Sequence, residues 1–193
     1  MAAYYCGSPL PPALNIPNQK MHAMTTEITM RDETPADVSA ITEVTLQAFK
    51  SLQISQHNEQ LVVAALRQAG KLTVSLVAQF NAEVIGHIAF SPVTLSDGTP
   101  DWYGLGPVSV LPRYQRQGIG SALIRAGLAR LKSLNGAGCC LVGHPQYYPR
   151  FGFANTTDLV LHGVPAEVFF ALPFNRATPR AHVHFHPAFT AGL

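Results

Sequence analysis

Charge is scarce in this chain: Asp, Glu, Lys and Arg make up only 12% of its 193 residues, and they nearly cancel to a net +2. The basic residues are scattered, whereas a nucleic-acid surface needs a clustered cationic face, so no nucleic-acid partner is expected. Long apolar runs are missing too. None approaches the ~20 residues that span a bilayer, so no membrane partner is expected either. Cysteine is limited to Cys6, Cys139 and Cys140, an odd number with the adjacent pair inside an apolar run. No disulfide framework is expected, and a reducing cytoplasm fits. What the chain has instead is apolar content. A hydrophobic fraction of 47% argues against disorder and for one packed, enzyme-like domain long enough to bury a core.

The first residues stand apart. Pro9, Pro11 and Pro12, few charges and no signal-peptide core read as a flexible leader over residues 1–24, with Met21 and Met24 as candidate natural starts. A single domain over 25–193 follows. Glu27 to Arg31 reads as a short strand. Thr34-Pro35-Ala36-Asp37 opens a helix with an N-cap, a proline at the first position and an early carboxylate, and Val38, Ile41, Val44, Ala48 and Phe49 form its buried face. Ser55 is the candidate cap of a second helix that carries Val62, Ala65, Leu66 and Ala69 inward and stops at Gly70. From Leu72 the period changes to two, predicting a hairpin of strands 72–78 and 84–90 around Asn81-Ala82.

The stretch around which the rest is organised runs from Gly104 to Leu134. Tyr103 to Val110 is a strand in which Pro107 cannot donate a ladder hydrogen bond, so a bulge or break is expected there. Arg113 to Gly120 is a basic, glycine-containing turn, and an amphipathic helix follows that buries Leu123, Ile124, Leu128, Leu131 and Leu134. Backbone N–H groups at such a helix start suit a phosphate, because Gly118 and Gly120 let an anion come close and the helix dipole favours negative charge. Two familiar phosphate motifs fail on residues. Gly120 is followed by Ser121-Ala122 with no lysine, which excludes a Walker A loop, and Leu123 stands where a dinucleotide-binding fingerprint has its third glycine. Cys139 to Val142 is a continuously apolar strand of the kind buried in a parallel pair, completing a βαβ unit.

Two motifs together resemble a family. Gln115-Arg116-Gln117-Gly118-Ile119-Gly120 is similar to the Q/R-x-x-G-x-G/A signature of the GNAT N-acetyltransferase superfamily, and Tyr148-Pro-Arg-Phe-Gly152-Phe153 resembles its tyrosine-bearing segment ending in Gly-Phe. The run from Leu105 to Phe153 most resembles the YhbS-like group. The resemblance implies an α/β (α+β) fold with a mixed, V-shaped central sheet flanked by helices. It implies acetyl-CoA as co-substrate, no metal, and a primary amine of a small molecule or peptide as acceptor, on a monomer or homodimer. The pyrophosphate would lie on Gln117, Gly118, Ile119, Gly120 and Ser121 with Gln115 and Arg116 alongside. The pantetheine arm would run along Val108, Ser109 and Val110, with the thioester carbonyl at a backbone N–H near Val110.

By the same resemblance Tyr148 is the general acid that protonates the leaving thiolate, and Tyr147 is a packing aromatic. The base has no carboxylate to fill it between Tyr103 and Val110, where many members carry a glutamate. Asp101 and His144 are the candidates, and a histidine titrating near neutrality suits the task. His87 reads as a satisfied core histidine. His182, His184 and His186 alternate along one strand face, and Phe169, Phe170 and Phe174 are candidates for a pocket wall. Two other functions stay open: a non-catalytic CoA-binding sensor on the same fold, and a metal-binding regulatory module using the C-terminal histidines.

Overall fold

The computed structural model describes residues 27–52, 57–174 and 177–189. The leader expected at 1–24 and the expected Ser55 cap lie outside the described residues. Strand β1 (Thr29–Asp32) leads through a 3-10 turn at Pro35–Asp37 into helix α1 (Val38–Phe49). Asp37 fixes that junction. Its Oδ2 accepts from the Thr34 N–H at 2.7 Å and from Thr34 Oγ1 at 2.8 Å, while Arg31 donates to both carboxylate oxygens at 2.7 and 2.8 Å. The Arg31 guanidinium holds the buried Asp37 carboxyl well below the usual carboxylate range.

Helix α2 (Glu59–Gln68) puts Val63 into the core beside Ile41 and Val44 of α1, and Val62 and Leu66 against Ala188 and Phe189. Ala69, expected inside, is exposed because it is the capping residue, and Val63 takes its place in the core. The expected hairpin is β2 (Val74–Phe80) and β3 (Glu83–Pro92), joined by Asn81 and Ala82, both in left-handed conformation with φ 49° and 65°.

The short β4 (Thr94–Leu95) and β5 (Trp102–Val110) follow, then helix α3 (Ile119–Ser133) and β6 (Gly138–Val142). The last strands are β7 (Leu159–Val160), β8 (Phe169–Pro173) and β9 (Ala181–His184). Among the described residues the main sheet has six strands in the order β1-β2-β3-β5-β6-β8, and β5 with β6 is its only parallel pair. The remaining strands form a small sheet, β4-β9-β7, which carries His182 and His184 on its exposed side. Among the described residues no helix is long and apolar enough to cross a membrane, and no three His, Cys, Asp or Glu side chains are grouped to hold a metal ion.

Both faces of the main sheet are covered. Gly86 on β3 faces Leu123 of α3, and its neighbour His87 faces the opposite way, toward α1 and α2. Helix α3 buries Leu123, Ile124, Leu128 and Leu131 as expected. Leu134 does not follow them: it is the capping residue, where the chain leaves helical angles, and is 50% exposed. The height of α3 above the sheet is set by Gly127, because a Cβ there would lie 2.1 Å from Phe90 Cε2, a ring that is itself fully buried. Gly127→Val is therefore expected to lift the helix or displace Phe90 and to destabilise the protein by about 2–3 kcal/mol in denaturant titration. An unchanged midpoint would show that α3 is free to slide.

Candidate active site

Strands β5 and β6 run side by side only at their starts. Trp102, Tyr103 and Gly104 pair with Gly138, Cys139 and Cys140, and beyond that point no rungs join the two strands. The rest of β5 stays with β3 (Ile88↔Val108, His87↔Ser109, Gly86↔Val110), while Leu141 and Val142 stay with β8. The sheet is thereby split into a V. The bulge expected at Pro107 is present: register shifts so that Gly106 and Pro107 are accommodated between the Phe90↔Leu105 and Ile88↔Val108 rungs.

Hydrogen-bond alternation decides which backbone groups face the V. The Leu111 N–H donates to the Ile85 carbonyl at 2.9 Å, so Ser109 and His87 are the next hydrogen-bonded pair, while Val110 and Val108 turn their N–H and C=O groups away from β3. Those groups point into the split. Gln115 Nε2 donates to the Val110 carbonyl at 3.0 Å, which leaves the Val110 N–H as the donor facing the cleft. Ser109, grouped with the two valines by sequence, behaves differently. Its backbone is paired with His87 and its hydroxyl lies 3.2 Å from Thr45 Oγ1 on α1, because alternate residues of a strand face opposite ways.

The turn after β5 continues this edge. Gly118 is the N-cap of α3 with φ +85°, and having no side chain it leaves the helix start uncapped. The first bond at that end runs from the Ala122 N–H to the Gly118 carbonyl at 2.9 Å, so the N–H groups of Ile119, Gly120 and Ser121 precede the ladder. Gln117 Nε2 braces the turn by donating to the Arg113 carbonyl at 3.1 Å. Arg116, with φ +65°, is exposed on the turn, whereas Arg113 reaches back to pair with Glu83 and stacks on Tyr114. An uncapped N-terminus and an open strand edge in line make a site suited to a phosphate with an extended, amide-bearing arm.

The tyrosines lie on the exit from β6. Tyr148 is fully buried among Tyr147, Phe151, Phe153 and Phe170, and burial pushes its hydroxyl well above the ordinary phenol value. Tyr147 reaches the turn directly, its hydroxyl 3.3 Å from Ser121 Oγ in the first turn of α3. His144 follows the C-terminal end of β6 and is exposed, and its Nδ1 accepts from the Gln146 N–H at 3.2 Å. Asp101 is at the wrong end. It immediately precedes a strand of nine residues, so it stands roughly 25–30 Å along β5 from Val110 and cannot act as a base there.

A polar cluster that the sequence did not announce spans β2 and β3. Arg67 Nε and Nη2 each donate to the Glu33 carboxylate at 2.8 Å, Ser75 Oγ donates to Glu33 Oε2, and Ser75 Oγ lies 2.8 Å from His87 Nε2. Burial opposes charge on Glu33, yet Arg67, His87 and Ser75 together hold its carboxyl well below the usual carboxylate range. His87 is fully buried as expected, but it is only half satisfied, because its Nδ1 has no partner among the described residues. The signal in the sequence was a histidine, Ser75 and Ser109 all placed on inward positions of strands that otherwise carry Val, Ile and Leu.

A match to the acetyltransferase (GNAT) family over residues 39–153, more than half of the chain, places this protein in that family. Its relatives narrow the group. It is 35% identical over 125 residues to the uncharacterized N-acetyltransferase YhbS of Escherichia coli (strain K12), spanning 64% of this chain and 72% of that protein. Its fold superposes on that of E. coli YhbS in complex with CoA with a TM-score of 0.79 at 28% identity, covering 90% of this chain and 98% of the other. A GNAT family acetyltransferase from Brucella melitensis in complex with acetyl-CoA gives a TM-score of 0.77 at 43% identity, covering 85% and 99%.

The left-handed conformation at Gly118 gives a direct test of the turn. No atom lies within 4 Å of a Cβ built there, so Gly118→Ala costs only the backbone penalty, about 1–2 kcal/mol in thermal or denaturant unfolding. Undiminished stability would mean that the turn relaxes out of this geometry.

Proposed function

We propose that the protein is an acetyl-CoA-dependent N-acetyltransferase that moves an acetyl group to a primary amine of a small molecule or peptide by direct attack. The observation that carries the reading is the continuous line of outward backbone groups from Val108 and Val110 to the uncapped start of α3. Acetyl-CoA, the substrate, has a chemistry that matches it: a pyrophosphate for the N–H groups of Gln117 to Ser121, and a pantetheine arm whose amides pair with a strand edge. Arg116 adds a cation beside the turn, and Gln115 keeps the Val110 carbonyl occupied so that only a donor faces the thioester oxygen.

The leaving thiolate takes a proton from a tyrosine on the exit from β6, and Tyr148 holds the position four residues before Gly152. Its burial keeps the hydroxyl protonated through the neutral range. Tyr147 orients Ser121 at the phosphate turn. At the rim His144 has Nδ1 engaged by Gln146, so Nε2 is the nitrogen it has left to take a proton.

Two substitutions separate binding from chemistry. Gly120→Val places a branched side chain over the helix start and is expected to remove measurable CoA binding by calorimetry; retained affinity would sink the phosphate site. Tyr148→Phe is expected to lower kcat by roughly 100-fold while leaving CoA affinity nearly unchanged. A parallel Tyr147→Phe that lost the rate in its place would transfer the role of acid to Tyr147.

A further inference from the structure

We propose that His87 is the base of the transfer, accepting at Nδ1 a proton from the ammonium form of the acceptor while Ser75 and the Glu33 carboxylate hold its Nε2 proton in place. This rests on the acetyl-CoA reading of β5, and donor counting supports it. Ser75 has one hydroxyl proton, and the Glu33 carboxylate it bonds can only accept. His87 Nε2 must therefore be the donor to Ser75 Oγ, and Nδ1 is left as a bare lone pair.

The direction of that lone pair follows from the sheet. Strands β2 and β5 flank β3 on opposite sides. Nε2 is turned to Ser75, the diagonal neighbour of His87 on β2, and the two ring nitrogens diverge, so Nδ1 is turned away from Ser75, and the strand on the far side from β2 is β5. There its hydrogen-bonded cross-strand partner is Ser109, ~5.5 Å away at Cα and on the same face. Thr45 Oγ1 donates to the Ile41 carbonyl at 2.8 Å, so Ser109 must donate to Thr45, and its own oxygen presents lone pairs. A second orphan lies on the same face of β3: Ser91 Oγ, fully buried, also has no partner among the described residues. Two buried, unpartnered polar atoms beside the segment that borders the V mark a polar path on the α1 side, where Val, Ile and Leu would otherwise pack.

The groups facing His87 are Glu33 from the segment after β1, Arg67 from α2, and the non-titrating Ser75, Thr45 and Ser109 from β2, α1 and β5. Burial lowers the pKa of His87 and Glu33 opposes the drop, so the imidazole is neutral at physiological pH. In the step itself an N–H bond of the ammonium breaks and Nδ1–H forms, the proton passing through one water at Ser109 Oγ because His87 is itself buried. The freed lone pair makes the C–N bond as the C–S bond to CoA breaks. The thiolate takes its proton from the tyrosine, and the second proton shed by the new amide nitrogen restores the tyrosine hydroxyl. The imidazolium then returns its Nδ1 proton to the water at Ser109 Oγ and so to solvent, which restores the starting tautomer, while Ser75 and the ionised Glu33 hold the Nε2 proton throughout.

His87→Gln keeps a donor for Ser75 and removes the titrating nitrogen. With acetyl-CoA and butylamine, thiol release by the wild type is expected to show an acidic limb below the ordinary histidine pKa of ~6.5. The variant is expected to lose that limb and about 100-fold in rate at neutral pH, with CoA affinity by calorimetry unchanged. Glu33→Gln is expected to move the limb to lower pH, because the imidazolium loses its counter-charge. Nitrogen NMR of histidine-labelled free protein is expected to show His87 protonated at Nε2 and bare at Nδ1. In Ser75→Ala, which leaves the Arg67–Glu33 pair whole, that preference is expected to vanish. An opposite tautomer overturns the proposal, as does a limb that persists in His87→Gln and disappears in His144→Ala. Failure of the phosphate site is read separately from calorimetry, and the nitrogen shifts decide the tautomer whether or not CoA binds.

Discussion

The structure depends on the parting of two parallel strands. As long as β5 and β6 share hydrogen bonds, from Trp102 to Gly104, the sheet is continuous. Once they separate, the backbone of β5 holds a row of donors and acceptors that water or a ligand must satisfy, since unpaired buried backbone groups are costly. The Gly106-Pro107 bulge re-registers β5 against β3 at the same place. The split is thus bordered on one side by the β3 ladder and on the other by the β6–β8 ladder.

Everything else fixes where that open edge points. Gly127 lets α3 rest on Phe90, and this sets the position of the helix start relative to Val110. Gln115 and Gln117 tie the intervening turn back to Val110 and Arg113, so the uncapped N–H groups stay in line with the strand edge. Such pre-organisation matters because donors already in place need no rearrangement when charge arrives. The aromatic cluster around Tyr148 closes the other arm of the V, and the Tyr147 hydroxyl connects that arm to Ser121.

Much of this was legible in the residues. Pro107 inside an apolar strand announced the bulge, and Gly118 before an amphipathic helix announced the uncapped start. The changes of hydrophobic period located the hairpin, α3 and β6. What sequence could not supply was direction. Nothing local distinguishes Ser109, which faces α1, from Val108 and Val110, whose backbones face the V, because alternation becomes readable only once the β3 register is known. Asp101 looked near the site by number and is distant along an extended strand. The Glu33–Ser75–His87 hydrogen-bonded cluster joins residues 42 and 12 apart in the chain and leaves no local pattern to read. Tyr147 and Tyr148 are neighbours with identical chemistry, and only packing separates the hydroxyl at Ser121 from the one in the core.

The central claim is that the open edge of β5 and the start of α3 form one surface for acetyl-CoA. Residue-resolved amide hydrogen exchange with and without CoA tests it most directly. Protection should rise at Val108, Val110 and the turn residues Gly118 to Ser121, with Ser109, already paired to His87, changing least. Exchange unaltered at these amides in the presence of bound CoA would contradict the account.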